Sequence, residues 1–138
     1  MENILVDTNI VLDLLAKRDD FFVDAQKIFT LSDKNKVKLY VSSLTFANTY
    51  YILSQQLKIG DVRKILRKFK ILVDVLSMDD KVTDLSLESD FKDFEDAIQY
   101  NTAIENCIDI IITRNLKDFK TAKIPVFTAK EYLKLKGF

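Results

Sequence analysis

Short unbroken apolar runs alternate with longer stretches of helical spacing along the whole chain. Ile4-Leu5-Val6 is one such run, and it stops abruptly at Asp7-Thr8-Asn9 before a helical pattern begins. A strand buried on both faces reads this way. Ile10 to Ala16 reads as a short helix ending in Lys17-Arg18-Asp19-Asp20. Phe21 to Asp33 follows as an amphipathic helix on Phe21, Ala25, Ile28 and Phe29. Leu39-Tyr40-Val41 is a second strand, and Ser42-Ser43 caps a helix over Leu44 to Leu57. A helix from Gly60 to about Lys70 leads into a third strand over Ile71 to Leu76, and Asp79-Asp80 opens a helix through Leu87. Asp90 is expected to cap a helix over Phe94 to Asn106, with Asp93 as the reciprocal acid of a capping box. Its sheet-facing stripe is expected to be Ala97, Tyr100, Ile104, Cys107 and Ile108. Asp109 to Thr113 is the clearest buried strand. Lys123 to Phe127 is a fifth, placed at an edge by Pro125, and Thr128 caps a last helix over Ala129 to Leu135.

Five strands alternating with helices predict an α/β fold, a three-layer α/β/α sandwich around a parallel five-stranded sheet. The 138 residues, without repeat, linker or low-complexity segment, are expected to form one domain over residues 1–138.

Composition narrows the chemistry. The chain has no histidine, which removes Ser-His and Cys-His nucleophile pairs, imidazole metal ligands and histidine general acids. Two glycines leave no phosphate-cradling loop. Lys+Arg and Asp+Glu are both 21, so any attraction to nucleic acid must be local. The single Cys107, the absence of a signal-peptide pattern and the absence of a long apolar run lead to the expectation of a cytoplasmic protein with no membrane association. Hydrolysis must then run on carboxylates, hydroxyls, amides, Lys and Arg, and carboxylates without imidazole or thiolate favour hard cations such as Mg²⁺ or Mn²⁺.

In an open α/β sheet, ligands sit beyond the carboxyl ends of the strands. Asp7 follows the first strand. Thr113-Arg114-Asn115 follows the fourth, with Asp118 close behind. Asp96 stands near the start of the helix feeding the fourth strand, where the helix dipole favours an anion, and Asp93 lies one turn earlier. Each has a plain structural reading: Asp7 and Asp93 as caps, Asp96 as a solvated charge, Asp118 as a turn residue. Asp7, Asp96 and Asp118 brought to one rim would repel and call for a cation.

The chain resembles a PIN domain, the fold of VapC-type toxin ribonucleases. The residues that carry the likeness are Val6-Asp7-Thr8-Asn9, Ser42-Ser43-Leu44-Thr45-Phe46-Ala47-Asn48, Asp93-Phe94-Glu95-Asp96-Ala97 with Thr102-Ala103, and Ile112-Thr113-Arg114-Asn115-Leu116-Lys117-Asp118-Phe119. The resemblance implies a Mg²⁺- or Mn²⁺-dependent endoribonuclease cutting single-stranded RNA, with Asp7, Asp96 and Asp118 as metal-site carboxylates. Asp93, Thr113, Arg114 and Asn115 become supporting groups, and Asn9 stands behind the ligands. Asp96 would orient or deprotonate the attacking water, leaving a 5′-phosphate and a 3′-hydroxyl. It also implies a homodimer and a small antitoxin partner, for which the Phe21-Phe22 and Tyr50-Tyr51 regions offer apolar contacts. PIN nucleases usually carry Glu where this chain has Asn48, whose carbonyl can meet a metal-bound water but supplies no charge. That departure supports the alternative of a weakly active or inactive RNA- or partner-binding module.

For RNA, the densest cationic track is Arg63, Lys64, Arg67 and Lys68, which share a helix face; a solvated helix surface is the competing reading. A haloacid-dehalogenase-like phosphatase would need an acid where Asn9 stands. A phosphoacceptor receiver would need Asp at the end of its third strand, where Leu76-Ser77 stands.

Overall fold

The computed structural model describes all of residues 1–138. In order, the elements are β1 (Glu2–Val6), α1 (Thr8–Leu15), α2 (Phe22–Asp33), β2 (Val37–Ser42), α3 (Ser43–Ser54), α4 (Ile59–Lys70), β3 (Asp74–Leu76), α5 (Asp80–Leu87), α6 (Phe94–Glu105) and β4 (Ile110–Ile112). A 3₁₀ turn (Leu116–Phe119), β5 (Val126–Phe127) and α7 (Ala129–Leu135) complete the chain. All five strands are parallel, in the order β3-β2-β1-β4-β5. The expected α/β/α sandwich is therefore the observed one. Strand order reverses between β1 and β4, and this switch point is where an open α/β sheet leaves a crevice at its carboxyl edge. A receiver-type sheet, in the order 2-1-3-4-5, would set β1 beside β3; here β1 pairs with β4.

The apolar runs explain the layers. Side chains alternate across a strand, so Ile4, Val6, Ile110 and Ile112 enter the core under α1, α2 and α7. Leu5 and Ile111 enter the opposite core with Ala103, Ile108 and Phe119. Leu12, Leu53, Val62 and Leu66 form a third cluster joining α1, α3 and α4. Burying each of these large side chains contributes roughly 2 kcal/mol. The central register pairs Ile4 with Ile110 and Val6 with Ile112, so β1 and β4 end level with each other. The Asp7 N–H then donates to the Ile112 carbonyl at 3.0 Å, and the Thr113 N–H to the Phe127 carbonyl at 2.9 Å.

Several expectations change at the edges. Residues 71–73 are a turn after α4 rather than strand, with Ile71 82% exposed, so β3 is three residues long. β5 begins only at Val126. Pro125 lacks an N–H, but its carbonyl still accepts from the Ile111 N–H at 3.1 Å. Asp93, not Asp90, is the N-cap of α6, its carboxylate accepting the Asp96 N–H at 3.1 Å. The buried face of α6 is Ala97, Ile98, Gln99, Asn101, Thr102 and Ala103. Ile104 and Cys107 are exposed, because the helix stops at Glu105 and Cys107 turns the chain in the left-handed region at φ 54°. Thr128 caps α7 in a capping box with Glu131.

No helix of the structure is long and apolar enough to cross a membrane.

Candidate active site at the switch point

Asp7 is the first residue past β1 and the N-cap of α1, and it is 5% exposed. Capping accounts for only one of its hydrogen bonds. Oδ1 accepts from the Thr8 N–H at 2.7 Å and from Gln99 Nε2 at 3.2 Å. Oδ2 accepts from Thr113 Oγ1 at 2.7 Å and, more weakly, from Asn9 Nδ2 at 3.4 Å. A single carboxylate thus ties together α1, α6 and the end of β4. Burial raises its pKa, opposed by the bonds from Thr113, Thr8 and Gln99.

Thr113 and Asn9 interlock behind it. Asn9 Nδ2 donates to Thr113 Oγ1 at 3.3 Å, and Asn9 Oδ1 accepts the Arg114 N–H at 3.2 Å. The Asn115 N–H closes onto Thr113 Oγ1 at 3.1 Å. The loop after β4 is therefore folded back onto Asp7 by side-chain bonds rather than by helix or sheet ladders.

Asp96 lies in the first turn of α6, 7% exposed. Its pKa is pushed up to about 7, first by burial and then by the negative charges of Asp7, Asp93, Asp118 and Glu95. The structure therefore gathers Asp7, Asp93, Asp96 and Asp118 into one electrostatic neighbourhood, although Asp93 and Asp118 are exposed. No three acidic side chains converge on a single point as a ready ligand set. Mg²⁺ does not require one, because it is commonly held by one or two carboxylates, with water and phosphate oxygens filling its shell. An all-oxygen donor set with crowded negative charge and no imidazole fits that ion, and Asp7 and Asp96 are the pair that could hold it.

Other expected residues lie elsewhere or are already engaged. Asn48 is half-buried on α3, one turn after Thr45. Arg114 is not a free phosphate contact. Its guanidinium makes a bidentate pair with Asp13, at 2.9 and 3.1 Å, and sits 4.0 Å over the Phe21 ring. Asp13 is 1% exposed, and Arg18 approaches it at 3.8 Å, so the pair is built into the α1 side of the fold. Arg63, Lys64, Arg67 and Lys68 lie on the exposed face of α4, which packs against α3, and Arg63 rests over the Tyr50 ring at 5.9 Å. Tyr50 packs against the third apolar cluster, whereas Tyr51 is 67% exposed.

Gln99 is the site residue that sequence reasoning missed. It is 2% exposed, and Nε2 donates to Asp7 and to Thr45 Oγ1 at 2.9 Å, with Thr8 Oγ1 at 3.4 Å. Its Oε1 is buried without a partner. Thr45 in turn joins Thr8 at 3.0 Å and Ser42 at 3.3 Å, so α3 is wired to the carboxylate through Gln99. The available signal was an amide three residues after Asp96, close to one helical turn, on the same helix.

Comparison with known proteins agrees with the fold. No curated protein matches the chain. Among solved structures it is similar to VapBC2 from Rickettsia felis bound to a promoter DNA fragment, at 19% identity and TM-score 0.69, covering 91% of this chain and 96% of that one. A toxin-antitoxin complex from Klebsiella pneumoniae matches at 26% identity and TM-score 0.67, covering 91% and 96%. VapC20 from Mycobacterium tuberculosis, a toxin that cleaves the sarcin-ricin loop, matches at 16% identity and TM-score 0.62, covering 78% and 86%. The family model for the PIN domain matches residues 3–117, from β1 through the loop that closes over Asp7, and the chain belongs to the PIN domain family.

Proposed function

We propose that this chain is a metal-dependent endoribonuclease that hydrolyses single-stranded RNA, acting as the toxin of a toxin-antitoxin pair. The observation that carries the reading is the buried, four-times hydrogen-bonded Asp7 at the switch point, set against an Asp96 whose pKa is pushed up to about 7 by burial and then by the neighbouring carboxylates. Charges are crowded this way at a cost in stability, and a bound cation recovers it.

Asp7 and Asp96 would hold Mg²⁺ or Mn²⁺, with Asp118 adding charge. Bound there, the ion supplies Lewis acidity, lowering the pKa of the attacking water and offsetting phosphate charge. The 3.4 Å Asn9 contact is the Asp7 bond most cheaply given up to such an ion, while Thr113 and Gln99 fix the carboxylate's orientation. Asp96 orients the water and takes its proton, and water attack leaves a 5′-phosphate and a 3′-hydroxyl. An antitoxin partner is supported by the toxin-antitoxin complexes among the similar structures. A homodimer and a cytoplasmic site of action complete the reading; exposed Phe21, Val23 and Tyr51 offer apolar contact surface.

Asn48 favours a second reading, a PIN domain that binds RNA or a partner without cutting. The test is cleavage of a mixed single-stranded RNA pool in Mg²⁺, Mn²⁺ or EDTA by native protein, Asp7→Ala and Asp96→Ala. Metal-dependent cutting lost in both variants is expected. No cutting by folded native protein in either metal selects the binding module.

A further inference from the structure

We propose that the cleft between the loop before α6 and the 3₁₀ turn after β4 seats the RNA backbone on its way to the carboxylates, with Lys92, Lys117 and Lys120 as phosphate contacts. This rests on the nuclease reading and names its substrate track. The cleft has a volume of about 430 Å³ and is walled by Asp90, Phe91 and Lys92 on one side and Lys117, Asp118 and Lys120 on the other. It shares Asp118 with the carboxylate cluster, so a strand lying in it reaches the rim directly.

The cations are free to act. The ion pairs of the chain use Arg18, Lys38, Lys81, Arg114 and Lys136, and none of the three cleft lysines. Lys117 stands in the 3₁₀ turn and Lys120 directly follows it, and both line the cleft together with Asp118. The cleft lining carries three lysines against two carboxylates, Asp90 and Asp118, in a chain with no net charge, so its own walls are net positive. Phe91 in the cleft wall stacks on Tyr100 at 5.1 Å and meets Phe119 edge-on at 5.7 Å, which anchors the loop before α6. The α4 patch is denser in charge, but the depression beside it is lined by Phe46, Arg63, Leu66, Arg67 and Lys70 and contains no carboxylate of the site.

Equilibrium binding of a labelled single-stranded RNA across a salt series tests this, with Ca²⁺ replacing Mg²⁺ to suppress cutting. Each phosphate contact to a single strand contributes about 0.7 to the slope of log K against log salt. Lys117→Ala/Lys120→Ala should lower the slope magnitude by about 1.4 and weaken binding roughly tenfold at low salt, with an unchanged melting temperature. Arg63→Ala/Arg67→Ala should keep the native slope. A native slope in the cleft variant, with the loss appearing in the α4 variant, overturns the track and leaves the nuclease reading standing. Native protein that fails to bind RNA at any salt overturns both. A native slope in both variants also overturns the track.

Discussion

Asp96→Asn should make the metal-free protein more stable at alkaline pH, because the native residue is a carboxylate held against its neighbours. Its pKa rises from 3.8 to about 7, through burial first and then through Asp7, Asp93, Asp118 and Glu95. At about 1.4 kcal/mol per pKa unit the full shift corresponds to about 4 kcal/mol. Screening at a rim open to water, and the favourable dipole of the first turn of α6, reduce the net effect to about 1–2 kcal/mol. The folded state binds this proton more tightly than the unfolded chain, so the contribution of Asp96 to native stability is fully present below about pH 4 and is lost as pH rises through about 7. The amide has no such dependence. Thermal melting at pH 8 in EDTA should place Asp96→Asn roughly 3–8 °C above native protein, with the gap closing near pH 4. Adding Mg²⁺ should raise the native melting temperature and move the variant much less. A variant no more stable than native at pH 8, or a gap independent of pH, refutes the reasoning that neighbouring carboxylates strain this site.

Three further outcomes follow from the same geometry. Arg114→Ala should cost about 2–3 kcal/mol in denaturant unfolding, because it leaves the carboxylate of Asp13 buried with only Arg18 at 3.8 Å, and Arg114→Lys should recover only part of that. Gln99→Leu should change stability by less than about 1 kcal/mol, since it removes an unpartnered buried Oε1 together with the bonds to Asp7 and Thr45. Its effect should appear instead as weaker Mn²⁺ binding measured by electron paramagnetic resonance. Asn48→Glu adds a negative charge one turn after Thr45 on α3, the helix that Gln99 links to Asp7, and should tighten Mn²⁺ binding; cutting gained only in that variant would favour the binding-module reading.

The parts of the fold that local chemistry dictates were readable, and those set by distant partners were not. β1 and β4 are short runs of large apolar residues flanked by polar ones, and the β-branched Ile110-Ile111-Ile112 between Asp109 and Thr113 is too short for a helix and favours a strand. The third strand was overestimated because Ile71, Leu72 and Val73 are apolar in sequence but form the turn after α4, where Leu72 and Val73 pack on the core without pairing in the sheet and Ile71 is left exposed. Both Asp90 and Asp93 are competent caps, and which one is used depends on where α6 meets α5, information that no short window contains. The same limit hid Arg114, whose partner Asp13 is 101 residues away, and Gln99, whose partners come from α1 and α3. The positions of Asp7 and Thr113 were legible because each directly follows a buried strand, and parallel register then delivers them to one place.

The most direct measurement is the chemistry of the ends left on cleaved RNA, compared between native protein and Asp7→Ala. Under the proposed reading, in which water attacks and the carboxylates at the switch point would hold the ion, the expected ends are 5′-phosphate and 3′-hydroxyl, produced only with Mg²⁺ or Mn²⁺ and lost in Asp7→Ala. Ends carrying 2′,3′-cyclic phosphate, or cutting that persists in EDTA or in Asp7→Ala, would contradict it.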